Sequence, residues 1–160
     1  MQLPNLAPIP ELFVSYESAQ KLKGEAADLP SWDLTPRQTC DLELLMNGGF
    51  FPLKGFLGEE DYDSVVETMR LKDGSIWPMP ITLDVSEAFA AKIEPGQDIA
   101  LRDQEGVILA IMSVTDRFTP DKAREAEKVF GADDPAHPAV HYLHHAAGRV
   151  YLGQIISGYP

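Results

Sequence analysis

Two glycines, a lysine and a third glycine in quick succession are the raw material of a phosphate-binding loop. The stretch "GGFFPLKGF", Gly48 to Phe56, holds them as Gly48, Gly49, Lys54 and Gly55. A loop of the G-x-x-x-x-G-K-[ST] kind works because its amides, and a lysine that opens a helix, surround the phosphates. Here Lys54 precedes Gly55, and Phe56 stands where the hydroxyl residue is needed. The stretch also follows a predicted helix, so it meets the carboxyl-terminal pole, which repels an anion. It reads as a helix stop followed by a hydrophobic plug of Phe50, Phe51, Leu53 and Phe56.

All four histidines fall between positions 137 and 145, as His137, His141, His144 and His145. On a helix the first three would share one face, which is metal-ligand spacing. Pro138 interrupts the start and no nearby cysteine completes a set, while Asp133 and Asp134 ahead of a proline read as a helix cap. The group is better read as a surface or partly buried cluster. Cys40 falls on the expected apolar stripe of its helix and reads as inert core rather than a thiolate. Arg37, Gln38, Asp41 and Glu43 form a polar face that is solvated or contacts another domain. Trp32 and Trp77 read as core or interface anchors. No G-x-S-x-G, H-E-x-x-H, C-x-x-C or G-x-G-x-x-G motif occurs. Catalytic, cofactor-binding and metal-binding residues are therefore assigned to none of the positions.

The elements that hold these residues follow from caps and periodicity. Residues 1–10 carry three prolines and should be an extended arm along the surface. A short helix over 15–22 has Ser15 as its cap and Gly24 as its stop, and "DLPSW" follows as loop. The next helix has Thr35 as N-cap and Pro36 in its first position, Cys40, Leu44 and Leu45 as its stripe, and Asn47-Gly48-Gly49 as its end. A helix over 59–69 begins with Glu59, Glu60, Asp61 and Asp63, which complement the helix dipole, and buries Val65, Val66 and Met69. "IWPMPITLDV" is extended, with Pro78 and Pro80 confining its first half to an edge. Two strands meet in a hairpin at Asp103-Gln104-Glu105-Gly106. A helix over 120–130 has Thr119 as cap, a short proline-broken helix ends near Gly148, and "RVYLGQIISG" closes as a strand. This interleaving describes an α+β domain or a small barrel with helical excursions.

At 160 residues the chain suits one domain, which buries roughly 70% of its unfolded surface. No stretch approaches the ~20 apolar residues of a membrane span, and the N-terminus lacks the layout of a secretory signal. A lone cysteine excludes an internal disulfide framework and fits a reducing cytoplasm. The net charge of −12 repels phosphate backbones and argues against nucleic acid.

The segment "WDLTPRQTCDLELLMNGGFFPLKGFLGEEDYDSVVETMRLKDGSIWPMPITLDV" (32–85), followed by "VFGADDPAHPAVHYL" (129–143) and "VYLGQ" (150–154), resembles the N-terminal domain of the ATP sulfurylase (sulfate adenylyltransferase) family. The opening "SYESAQKL" with "PSWDLTPRQTCDLELLMNGGFFPLKGF" is similar to bacterial forms fused to an adenylylsulfate kinase domain. Gln154 departs from the family's second glycine.

The resemblance implies a PUA-like fold, a small mixed β-barrel with helical excursions. It also implies a parent enzyme of sulfate assimilation in which a sulfate oxygen attacks the α-phosphorus of ATP and pyrophosphate leaves, with Mg²⁺ and basic donors stabilising the charge. The family's Q-x-R-N-P-x-H-x-x-H and G-R-D-H-A segments lie in the following domain, and neither occurs before this chain stops at "ISGYP". The expectation is thus a single domain over 1–160 without catalytic residues, ATP and Mg²⁺ being held by the parent enzyme's catalytic domain. Its partners would be that domain and further copies in a homo-oligomer. The other reading is a free-standing PUA-like module that binds RNA or protein.

Overall fold

The computed structural model describes residues 8–158; most of the expected N-terminal arm, residues 1–7, and the last two residues of "ISGYP" lie outside them. The part of the arm in view, residues 8–10, is exposed and passes close to Gly48, and just beyond it the chain is tied down. Leu12 N–H donates to the Met46 carbonyl at 2.8 Å, and Phe13 bridges to Gly158.

Six α-helices and five strands follow in the described chain. Helix α1 (Tyr16–Ala26) starts at Ser15, whose hydroxyl accepts from the Ser18 amide. It runs through Gly24 rather than stopping there, because one glycine costs only about 1 kcal/mol and Ala26 is buried. The expected loop "DLPSW" instead supplies β1 (Ser31–Asp33), which pairs in parallel with β3 (Asp98–Arg102). A three-residue strand has no local signature; its partner, almost seventy positions away, creates it.

Helix α2 (Pro36–Met46) has the predicted Thr35 cap, completed by Gln38 into a capping box. Gly48 takes φ +82°, the left-handed turn that ends it. Its buried face keeps Leu45 of the expected stripe but otherwise differs: Gln38, Leu42 and Met46 are buried with it, whereas Cys40 is exposed and Leu44 is 38% exposed. Helix α3 (Glu59–Thr68) carries its acids at the start and buries Val65, Val66 and also Tyr62. Met69, expected on that stripe, is an exposed left-handed terminus at φ 57°.

Of the extended segment before residue 86, only β2 (Leu83–Val85) joins the sheet, as the two prolines require. After the short α4 (Glu87–Ala90), β3 and β4 (Ile108–Phe118) form the predicted hairpin with Gly106 at φ 88°. Helix α5 (Lys122–Glu125) is capped by Asp121 rather than Thr119 and widens into a π-helical turn, Ala126–Phe130. Helix α6 (Pro138–His145) leads into β5 (Val150–Gly158).

The sheet order is β1-β3-β4-β5-β2, antiparallel except for β1 with β3. Leu83, Val85, Leu101, Met112 and Leu152 face the main core with α2 and α3. On the opposite face Ala100 and Ile111 pack under Ala19 and Ala26 of α1. Covering both faces explains why β3 buries three successive residues despite the alternation of side chains along a strand.

Candidate functional site

The glycine loop lies over a cavity of about 520 Å³ lined by Lys54 and Lys72, but also by Glu60, Asp61, Asp73 and Asp116. The helix terminus that it does approach, that of α3, is taken: the Glu59 amide donates to Asp116 at 3.2 Å. Lys72 is ion-paired with Glu60. A phosphate would meet carboxylates here, so these residues do not fit a nucleotide. Leu53 and Phe56 are buried as the plug requires, and Phe50 packs edge-on against Trp77 with ring centroids 5.6 Å apart. Phe51 departs from that expectation and is 55% exposed.

The histidines are dispersed in role. His137 caps α6, its Nδ1 accepting from the Ala139 amide, and stacks on Phe130. His144 lies 2.5 Å from Asp133, and His141 and His145 face each other with centroids 4.5 Å apart. Among the described residues no group of three or more histidine, cysteine, aspartate or glutamate side chains is placed to hold a metal ion.

Three residues of the polar face of α2, Arg37, Gln38 and Asp41, are drawn into a hydrogen-bond network within this chain, Arg37 staying a third exposed. Arg37 donates to Asp84 at 2.5 Å, to Asp41 at 3.0 Å and to the Tyr142 hydroxyl at 3.2 Å. Gln38, wholly buried, donates to the Asp84 carbonyl and carboxylate at 2.7 and 3.0 Å and accepts from Trp32 at 3.1 Å. The second Asp84 oxygen accepts from the Gly148 amide at 2.7 Å. A Cβ on Gly148 would come within 2.4 Å of the Val85 carbonyl, so only glycine brings that amide close enough. Burial opposes the charge on Arg37, but Tyr142, Asp84 and Asp41 overcome it and hold its pKa above the ordinary value. Burial raises the Asp41 carboxyl, against the pull of Arg37. Of the four residues assigned to this face, only Glu43 is free of it and exposed.

Beside this network Glu125, 6% exposed, accepts from Tyr62 at 2.5 Å and Tyr151 at 3.2 Å, both through Oε2. Burial pushes its carboxyl up, opposed by the two hydroxyls, Lys122 and Arg37. Burial and the facing Glu125 likewise raise both tyrosines. Between the two groups lies a cavity of about 280 Å³ with Met79, Phe130 and Leu143 among its apolar walls. Asp84, Glu125, Tyr62, Tyr142 and Tyr151 carry no motif that marks them in the sequence. The available signals were a lone acid in the apolar run "ITLDV" and a glutamine in phase with Leu42 and Leu45.

One surface strip is apolar without a cover. Phe51, Met69, Ile76 and Met79 are each at least half exposed, Ile76 at 70%. Ile76 adjoins half-buried Trp77 in the chain, and the Trp77 amide donates to the Met69 carbonyl at 2.8 Å.

The family model described as "PUA-like domain" matches residues 3–158. The chain belongs to the PUA-like domain family. This PUA-like domain is 53% identical over 137 residues to the sulfate adenylyltransferase of Eremothecium gossypii, covering 86% of the chain and 27% of the relative. It is 52% identical over 136 residues to that of Schizosaccharomyces pombe, covering 84% and 28%. With that of Saccharomyces cerevisiae it shares 53% identity over 131 residues, covering 82% and 25%. The PUA-like domain thus spans about a quarter of the length of these curated relatives. Among solved structures it is similar to one described as a hexameric APS kinase from Thiobacillus denitrificans, with a TM-score of 0.71 and 33% identity, over 94% of this chain and 25% of that one. No helix among the described residues is long and apolar enough to cross a membrane.

Proposed function

We propose that this chain is the N-terminal, non-catalytic part of a sulfate adenylyltransferase, the enzyme that joins ATP and sulfate into adenylyl sulfate and pyrophosphate in sulfate assimilation. The observation that carries the reading is the 53% identity over most of this chain to a relative of which it spans only 27%. The role fits the site: the glycine loop is closed to phosphate, and an apolar strip around Trp77 stands uncovered. ATP and Mg²⁺ then bind in the catalytic remainder of the protein, which sits in the cytoplasm and which this domain positions through the strip. A homo-oligomer is supported by the hexameric neighbour.

Pyrophosphate release from ATP, sulfate and Mg²⁺ tests the first half, and the 160-residue chain alone should give none above blank; turnover would sink the reading. Gel filtration with the catalytic part of a sulfate adenylyltransferase tests the second. The chain should co-elute with it, and Ile76→Asp should weaken the association, because a charge at a covered apolar contact has no partner.

A further inference from the structure

Two of the four histidine rings are committed within the fold and two face each other. His144 lies 2.5 Å from Asp133, and His137 Nδ1 accepts from the Ala139 amide. Among the described residues the rings of His141 and His145 take part in no hydrogen bond or ion pair. Both are exposed, and their spacing of four puts them on one face of α6, a turn apart. Their ring centroids stand 4.5 Å apart, with the planes at 44°. The trio expected from spacing, His137, His141 and His144, thus gives way to a pair.

The separation of the rings says which ion they suit. A metal about 2.1 Å from a ligating imidazole nitrogen lies roughly 3.2 Å from the ring centre. Two such rings at a right angle about the metal have centres about 4.5 Å apart, and at a tetrahedral angle about 5.2 Å. The observed 4.5 Å matches the right angle, which belongs to the square-planar and tetragonal sites of copper(II) and nickel(II). Imidazole suits these ions, whereas magnesium and calcium call for oxygen ligands. Charge agrees with a cation: His145 closes α6, and the carbonyl pole of a helix favours positive charge. Lys122 answers only the Leu143 and Ala147 carbonyls there.

We propose that His141 and His145 form a two-point binding site for a divalent transition ion, copper(II) or nickel(II), each imidazole giving one ring nitrogen. Two protein ligands leave the other coordination positions to water or to a donor from outside the chain. The ion ties the last turn of α6 to the turn before it, and that helix carries Tyr142, a partner of Arg37. The site does not depend on the docking role proposed above, since both ligands belong to this chain.

The test uses the 160-residue chain carrying Cys40→Ser, which removes the exposed thiol as a rival ligand. Calorimetric titration should show binding of nickel(II) and none of magnesium. Electron paramagnetic resonance of the copper(II) form should show the hyperfine pattern of two nitrogen ligands. His141→Ala and His145→Ala should each lower nickel affinity at least tenfold. His144→Ala, whose ring is turned to Asp133, should leave it within twofold of the parent. The paired rings are exposed, so both variants should keep their fold, which circular dichroism checks. Undiminished affinity in either paired variant, an equal loss in His144→Ala, or a single-nitrogen spectrum overturns the assignment. Failure of the parent to bind nickel overturns it as well.

Discussion

Arg37 and Asp84 stand 47 positions apart in the chain and meet at 2.5 Å, one on the first turn of α2 and the other buried in β2. The contact joins a helix to the edge strand of the sheet, and Asp84 would keep only Gln38 and Gly148 as donors without it. Arg37→Met should therefore cost about 1–3 kcal/mol, less than a fully enclosed pair because Arg37 is a third exposed. Arg37→Lys should recover little of this, since an ammonium cannot reach Asp41, Asp84 and Tyr142 in one geometry. Urea midpoints of the three proteins measure both.

Glu125 makes stability depend on pH in a stated direction. Burial raises its carboxyl above the unfolded value of 4.5. Its contribution is then fully present below that pH and is lost as pH rises through the folded pKa. Glu125→Gln cannot ionise, so its stability relative to the parent should improve as pH climbs from about 4.5 towards neutrality. Asp41 shifts in the same sense but is present in both proteins and cancels. Denaturation midpoints taken across that range should diverge; parallel curves would contradict the burial argument.

The two tryptophans should respond differently to the same change. Trp32 donates its indole N–H to Gln38, while that of Trp77 is buried with no partner among the described residues. Trp32→Phe and Trp77→Phe remove equal volume, but only the first also breaks a hydrogen bond to a buried side chain. The Trp32 variant should be the less stable by about 1 kcal/mol or more, read from the same midpoints.

Cys40 is exposed on α2. A maleimide or an aromatic disulfide reagent should modify it fully in the native protein, without prior unfolding and without loss of secondary structure by circular dichroism. Protection until denaturation would mean that the helix is rotated from its described setting.

Ser15, Thr35, Gly48 and Gly106 act as their local chemistry dictates and were legible from the sequence, whereas Thr119 yields its cap to Asp121 and Gly24 does not stop α1. On α2 the expected inside and outside exchange for one reason. Cys40 and Leu44 were placed inside because they are apolar, and Arg37, Gln38 and Asp41 outside because they are polar. The reverse holds because β2 presents Asp84, a buried charge that reorients the helix around its own hydrogen bonds. Glu125 and the tyrosines escaped notice for the same reason, since three isolated polar residues become a group only once β5 and α3 are adjacent. The resemblance to a sulfate adenylyltransferase domain rested on long motifs, and it is supported at the level of the fold by the family match over residues 3–158.

Strand β5, last in sequence, lies inside the sheet between β4 and β2. During synthesis β2 leaves the ribosome well before β5, its strand partner among the described residues, with Val85 waiting for Val150. The hairpin of β3 and β4 can form early, but the sheet cannot be completed until residue 158 has emerged. Folding on the ribosome should thus be abrupt once β5 has emerged, with β2 unpaired until then.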